Sequence, residues 1–96
     1  MPRKNPETAF KELVAEDLKT IKDIWFSKIQ QVAIRGTPDF LVCLRGKFIA
    51  MELKVDSPLT LLQKYNLKRI EKSGGEAMVV TPDNWKEIFQ YLKGKK

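Results

Sequence analysis

Gly36-Thr37-Pro38-Asp39-Phe40-Leu41-Val42-Cys43-Leu44-Arg45-Gly46-Lys47-Phe48-Ile49-Ala50-Met51-Glu52-Leu53-Lys54 carries the clearest structural pattern in this chain. Two extended apolar runs, Phe40 to Leu44 and Phe48 to Leu53, are broken by Arg45-Gly46-Lys47, the composition of a hairpin with a glycine turn. Pairing the two runs brings Asp39 at the start of one close to Glu52 near the end of the other. Side chains alternate along a strand, so Phe48, Ala50, Glu52 and Lys54 share one face while Ile49, Met51, Leu53 and Val55 share the other.

Outward from this hairpin the chain alternates between helical and extended patterns. Pro6 suits a helix start, and Phe10, Val14, Leu18 and Ile21, with Leu13 and Ile24, give an apolar face at helical spacing, which predicts a helix from about Pro6 to Ile24. Trp25 to Ile34 is aromatic and β-branched and reads as a strand, ended by Arg35-Gly36-Thr37-Pro38. After the hairpin, Ser57-Pro58 opens a second helix that runs through Lys72 and stops at Ser73-Gly74-Gly75. Ala77 to Val80 is a short strand, and Thr81-Pro82-Asp83 resembles a capped start for a last helix carrying Trp85, Ile88, Phe89 and Leu92. The order is αβββαβα, an α/β fold.

Ninety-six residues without repeats, low-complexity segments or linkers predict one domain over 1–96 with a modest core. The single cysteine, Cys43, sits in an apolar run, which excludes an intrachain disulfide and predicts a buried thiol. There is no histidine, so imidazole-based acid/base catalysis and zinc–histidine sites are excluded, and carboxylates and lysines are left to do any chemistry. A formal charge of +6 suits a polyanionic partner. Neither a membrane-length apolar run nor an amino-terminal signal core is present, so the expected location is the cytoplasm. The closing Lys93-Gly94-Lys95-Lys96 reads as a solvated tail.

Asp39, Glu52 and Lys54 together suit metal-dependent phosphodiester hydrolysis. A hard divalent ion such as Mg²⁺ takes oxygen ligands and keeps several waters, so two carboxylates and a backbone carbonyl form an open site. A lysine beside it would orient or deprotonate the attacking water, or offset charge on the phosphorane. Taken alone, Glu52-x-Lys54 equally describes a solvated ion pair on an exposed edge strand; Gly-x-Pro-Asp at hairpin distance is what sets this case apart. Two further polar residues lie on apolar helical rows. Glu7 shares the face of Phe10, Val14, Leu18 and Ile21 and is expected to point inward, or else serves only as a helix-start carboxylate. Gln63 lies in the row Leu59, Gln63, Leu67, Ile70 and needs a polar partner, for which a metal-site carboxylate is one candidate and solvent the other.

With Glu7, Gly36-Thr37-Pro38-Asp39, Glu52-Leu53-Lys54, Gln63 and Gly74-Gly75 in this order, nearly the whole chain resembles the PD-(D/E)xK nuclease superfamily. Within it the likeness is to the stand-alone VRR-Nuc enzymes of phages, and more distantly to archaeal-type Holliday junction resolvases. The resemblance implies a restriction-endonuclease-like αβββαβ core with a mixed central sheet flanked by helices. It implies an endonuclease that hydrolyses DNA with Mg²⁺ or Mn²⁺, leaving 5′-phosphate and 3′-hydroxyl ends, commonly a homodimer acting on branched DNA such as four-way junctions in replication, recombination or repair. By the same resemblance Asp39, Glu52 and the carbonyl of Leu53 would hold the metal and Lys54 would position or activate water. Glu7 would complete the acidic cluster, with Glu12 the competing choice on the same helix, and Gln63 would orient a ligand. Arg35, Lys28, Lys47 and Lys64 are candidate phosphate contacts. A catalytically inert DNA-binding module of the same fold is the alternative.

Overall fold

The computed structural model describes residues 5–29 and 35–95. Its elements are α1 (Pro6–Leu18), β1 (Ile24–Lys28), β2 (Phe40–Leu44), β3 (Lys47–Leu53), α2 (Leu61–Lys72), β4 (Glu76–Val80) and α3 (Trp85–Gly94). The strands form one sheet in the order β1-β2-β3-β4, antiparallel between β1, β2 and β3 and parallel between β3 and β4. The fold is therefore α/β with a mixed four-stranded sheet, and α2 is the crossover that a parallel pair requires.

Alternation along the strands sorts their residues into two layers. Phe40, Val42, Leu44, Ile49, Met51, Leu53 and Val80 join Phe10, Val14 and Leu18 of α1 and Trp85 and Leu92 of α3 in a single apolar core. The Nε1 of Trp85 donates to Asp17 Oδ2 at 2.8 Å and ties the two helices of this layer together. On the other face α2 packs beside β3 and β4. Because β3 is paired on both sides and covered on both faces, Glu52 lies on an interior strand, not on an exposed edge.

Several boundaries differ from the sequence expectations, each for a local reason. α1 ends at Leu18 instead of Ile24; Thr20 and Ile21 turn back onto Asp17 and Leu18, and Asp23 adopts a left-handed φ of 61° that redirects the chain into β1. β1 closes at Lys28, and 30–34 of the expected strand lie outside the described residues. α2 begins at Leu61, not at Ser57-Pro58, because Thr60 and Gln63 form a capping box. α3 starts at Trp85, since Thr81 and Asn84 satisfy each other's backbone and side chains ahead of it. Cys43, expected to be buried, is exposed, because Phe40, Val42 and Leu44 use the core face of β2 and leave Leu41 and Cys43 on the other.

Two glycines fix turns on which the site depends. The β2–β3 connection is the two-residue turn Arg45-Gly46, with φ of 49° and 87°, the left-handed pair that matches strand twist. Gly36 has φ 82°, and a Cβ there would lie 2.6 Å from Asn66 Nδ2 and 2.8 Å from Leu62 Cγ, so the backbone ahead of Asp39 presses directly on α2. Gly46 has open space where its Cβ would be. Gly46→Ala is expected to cost about 1 kcal/mol, the conformational penalty alone; Gly36→Ala adds a steric clash and is expected to cost at least about twice as much. Urea denaturation of the two variants against wild type checks the order, and equal losses would remove the packing role assigned to Gly36.

Candidate functional site

Asp39 follows the loop pinned by Gly36 and enters β2, so its carboxylate reaches the end of β3. There Asp39 Oδ2 accepts a hydrogen bond from Leu53 N–H at 2.8 Å. Glu52, one residue earlier, is only 4% exposed and is the sole charged side chain buried among the described residues. Gln63 Nε2 donates to Glu52 Oε2 at 3.4 Å, while Gln63 Oε1 accepts from Thr60 N–H at 2.9 Å. The cap of α2 thereby orients the amide that faces the buried carboxyl. The sequence left Gln63 between a carboxylate partner and solvent, and the structure pairs it with Glu52.

Burial raises the Glu52 carboxyl from its ordinary 4.5 to about 8, and the hydrogen bond and charge of Asp39 push in the same direction. Lys54 and Lys11 pull it back without prevailing. Lys54, half-buried just past β3, donates its backbone N–H to Val80 O at 2.9 Å and has its charge within reach of Glu52.

Lys11 was not singled out in the sequence, yet its Nζ lies 3.2 Å from Asp39 Oδ1 and 3.6 Å from Glu7 Oε1. Burial lowers its pKa, but Asp39 and Glu7 outweigh that and hold the ammonium above its usual range. Its spacing of four residues from Glu7, on a helix whose neighbouring row is core, was the available signal. Glu7 departs from expectation: it is 60% exposed and does not point into the core. It meets Asp39 only through Lys11, because a carboxylate in the first turn of α1 gains solvent and the helix dipole there. Glu12 is half-buried.

The four proposed phosphate contacts are dispersed. Lys28 ends β1 opposite Phe40, Lys47 opens β3, Lys64 is exposed early in α2, and Arg35 precedes Gly36, its carbonyl accepting from Asn66 Nδ2 at 3.4 Å.

The donor set suits a divalent cation in one specific respect. Two adjacent carboxyl groups, one of them buried and reluctant to ionise, are what a cation between them would relieve. Among the described residues no three or more histidine, cysteine or acidic side chains gather at one point. Asp39 and Glu52 are the two side chains placed to hold a cation, and with the Leu53 carbonyl that the family resemblance implies they would leave positions for water and phosphate oxygens, as is usual for Mg²⁺. No family model, curated protein or solved structure matches the chain.

A carboxyl that keeps its proton to about pH 8 when folded but ionises near 4.5 when unfolded favours the fold fully below pH 4.5, and that contribution is lost as pH rises through 8. Without divalent ions, the melting temperature is therefore expected to fall between pH 4.5 and 8. Glu52→Gln, which retains the shape but cannot ionise, is expected to flatten this slope in a pH series of thermal melts; an unchanged slope would assign it to other groups.

Proposed function

We propose that this protein is a metal-dependent endodeoxyribonuclease of the PD-(D/E)xK type, with a restriction-endonuclease-like core. The observation that carries the reading is the pairing of Asp39 with the buried, proton-retaining Glu52 at the end of β3, with Lys54 just past the strand. Such a pair is costly to maintain for folding alone, because burial beside a second carboxyl opposes ionisation of Glu52. A Mg²⁺ or Mn²⁺ ion held there would supply Lewis acidity and a nucleophilic water.

Within this reading Asp39 is aimed by its bond to Leu53 N–H and Glu52 by Gln63. Lys54 orients the water or offsets charge that grows on the phosphate. Lys11 and Glu7 act one step back, steadying Asp39 through an ion pair. The net charge of +6 favours a polyanionic substrate. DNA, branched or four-way junctions in particular, and a homodimer whose twofold symmetry suits a junction, follow from the family resemblance.

One observation favours the alternative of an inert DNA-binding module: the Lys11 ammonium already lies against Asp39, a built-in cation on a ligand the metal would need. The two readings part on metal dependence. Incubating the protein with labelled four-way junction, flap and linear duplex DNA in Mg²⁺, Mn²⁺ or EDTA is expected to show cleavage only with metal. Asp39→Ala and Lys54→Ala are each expected to reduce it at least about a hundredfold. DNA binding without cleavage in either metal would establish the inert module instead.

Metal binding is also visible without turnover. Mn²⁺ is expected to raise the melting temperature of wild type and not of Asp39→Ala, since a ligand held only by the folded state stabilises it. An equal response in both proteins would remove Asp39 from the metal site.

A further inference from the structure

A groove beside α2 does not contain Asp39, Glu52 or Lys54; it starts next to them. It has a volume of about 660 Å³ and is walled by Pro38, Lys47, Phe48, Asn66, Arg69 and Gly75 among others. Pro38 immediately precedes Asp39, and Phe48 shares the face of β3 with Glu52, about 13 Å away along the strand. α2 runs back alongside: Gln63 meets Glu52 at one end, and Gly75, just past the helix, packs at Phe48 at the other, where a Cβ would come within 2.9 Å of the ring. The groove therefore leads along the sheet from the paired carboxyls.

Its lining combines apolar and cationic groups and contains no carboxylate. Among the described residues no ion pair or hydrogen bond occupies the Arg69 guanidinium. Lys47 feels Glu76, but Lys95 already neutralises that carboxylate at 2.6 Å. Phe48 is 44% exposed and is the end of a cross-strand row, Phe48, Cys43, Trp25, that α2 leaves open, with Trp25 62% exposed. Two open aromatic faces on one sheet surface, flanked by cations without acidic neighbours in the groove, match the chemistry of bases that are not paired. Aromatic faces stack such bases and cations hold the intervening phosphates. A continuous duplex buries its base faces in its own stack and offers nothing for Phe48 to lie against.

We propose that this groove and the adjoining Trp25 row hold an unpaired single strand of DNA next to the cleavage site, with bases on Phe48 and Trp25 and phosphates on Lys47 and Arg69. The inference takes a nucleic-acid substrate from the reading above and adds which part of it the protein grips.

The test is binding of a fluorescent oligothymidylate in EDTA, where no cleavage intervenes. Wild type is expected to bind it. Phe48→Ala and Arg69→Ala are each expected to weaken binding at least about fivefold, and Phe48→Tyr to retain it. Cys43, the single thiol of the chain, lies between the two aromatic residues, so saturating oligothymidylate is expected to slow its alkylation in the unaltered protein. Affinity unchanged in both alanine variants, or alkylation indifferent to the oligonucleotide, would overturn the inference. So would protection of Cys43 that rises with protein concentration in the absence of DNA, which would make this face a contact between copies of the chain. If Phe48-dependent binding is found but no metal supports cleavage, the groove stands and the nuclease reading falls; if cleavage is found with binding insensitive to Phe48 and Arg69, the reverse holds.

Discussion

The hydrogen bond from Leu53 N–H to Asp39 Oδ2 is the contact on which the rest of the site depends. A side chain here takes the place of a ladder partner at the end of β3, so the carboxylate is held by the sheet itself and not by a flexible rotamer. The same carboxylate faces Glu52 on one side and Lys11 on the other. One acidic group thereby joins three elements: the hairpin, the helix α1, and through Glu52 and Gln63 the helix α2. A small domain has few residues to spare for separate structural and chemical roles, and in this one the polar contacts that end a strand are also those that arrange two carboxyl groups.

The price is borne by Glu52. Its burial among apolar strands, beside a second carboxyl, leaves it holding a proton at pH values where an ordinary glutamate is ionised. Gln63 is a neutral donor, so it orients Glu52 without compensating its charge. Lys54 and Lys11 soften the penalty only in part. Lys11 pairs directly with Asp39, while Glu52 has only the more distant charges of Lys54 and Lys11 to offset its own.

Much of this was legible in the residues. The hairpin and the parity that puts Glu52 opposite Ile49, Met51 and Leu53 follow from a period-two pattern bracketed by glycine, the most dependable of local signals. Gln63 stands out in the sequence as a polar residue in an apolar row, which leaves a carboxylate and solvent both open as its partner; the fold chooses Glu52. Helix ends were less legible, since Thr60 and Gln63 cap α2 through a reciprocal pair that competes with the more conspicuous Ser57-Pro58. The inward reading of Glu7 failed because a wheel gives direction around the axis but not position along it; in the first turn the same direction leads past the end of the core. Cys43 failed because β2 is covered by helices on one face only, which an apolar composition does not reveal. Lys11 offered only its four-residue spacing from Glu7, because its other partner, Asp39, is distant in sequence and that contact exists only after the sheet has formed.

The two tryptophans occupy opposite extremes of environment. Trp85 is 4% exposed, packed against Phe89 and hydrogen-bonded to Asp17, while Trp25 stands 62% exposed on the uncovered face. Their emission is thus divided between a blue-shifted component from the α1–α3 layer and a red-shifted component from the open sheet. Loss of the helical layer moves the first and leaves the second where it was, so intrinsic fluorescence separates unpacking of the core from events on the exposed surface without any added label.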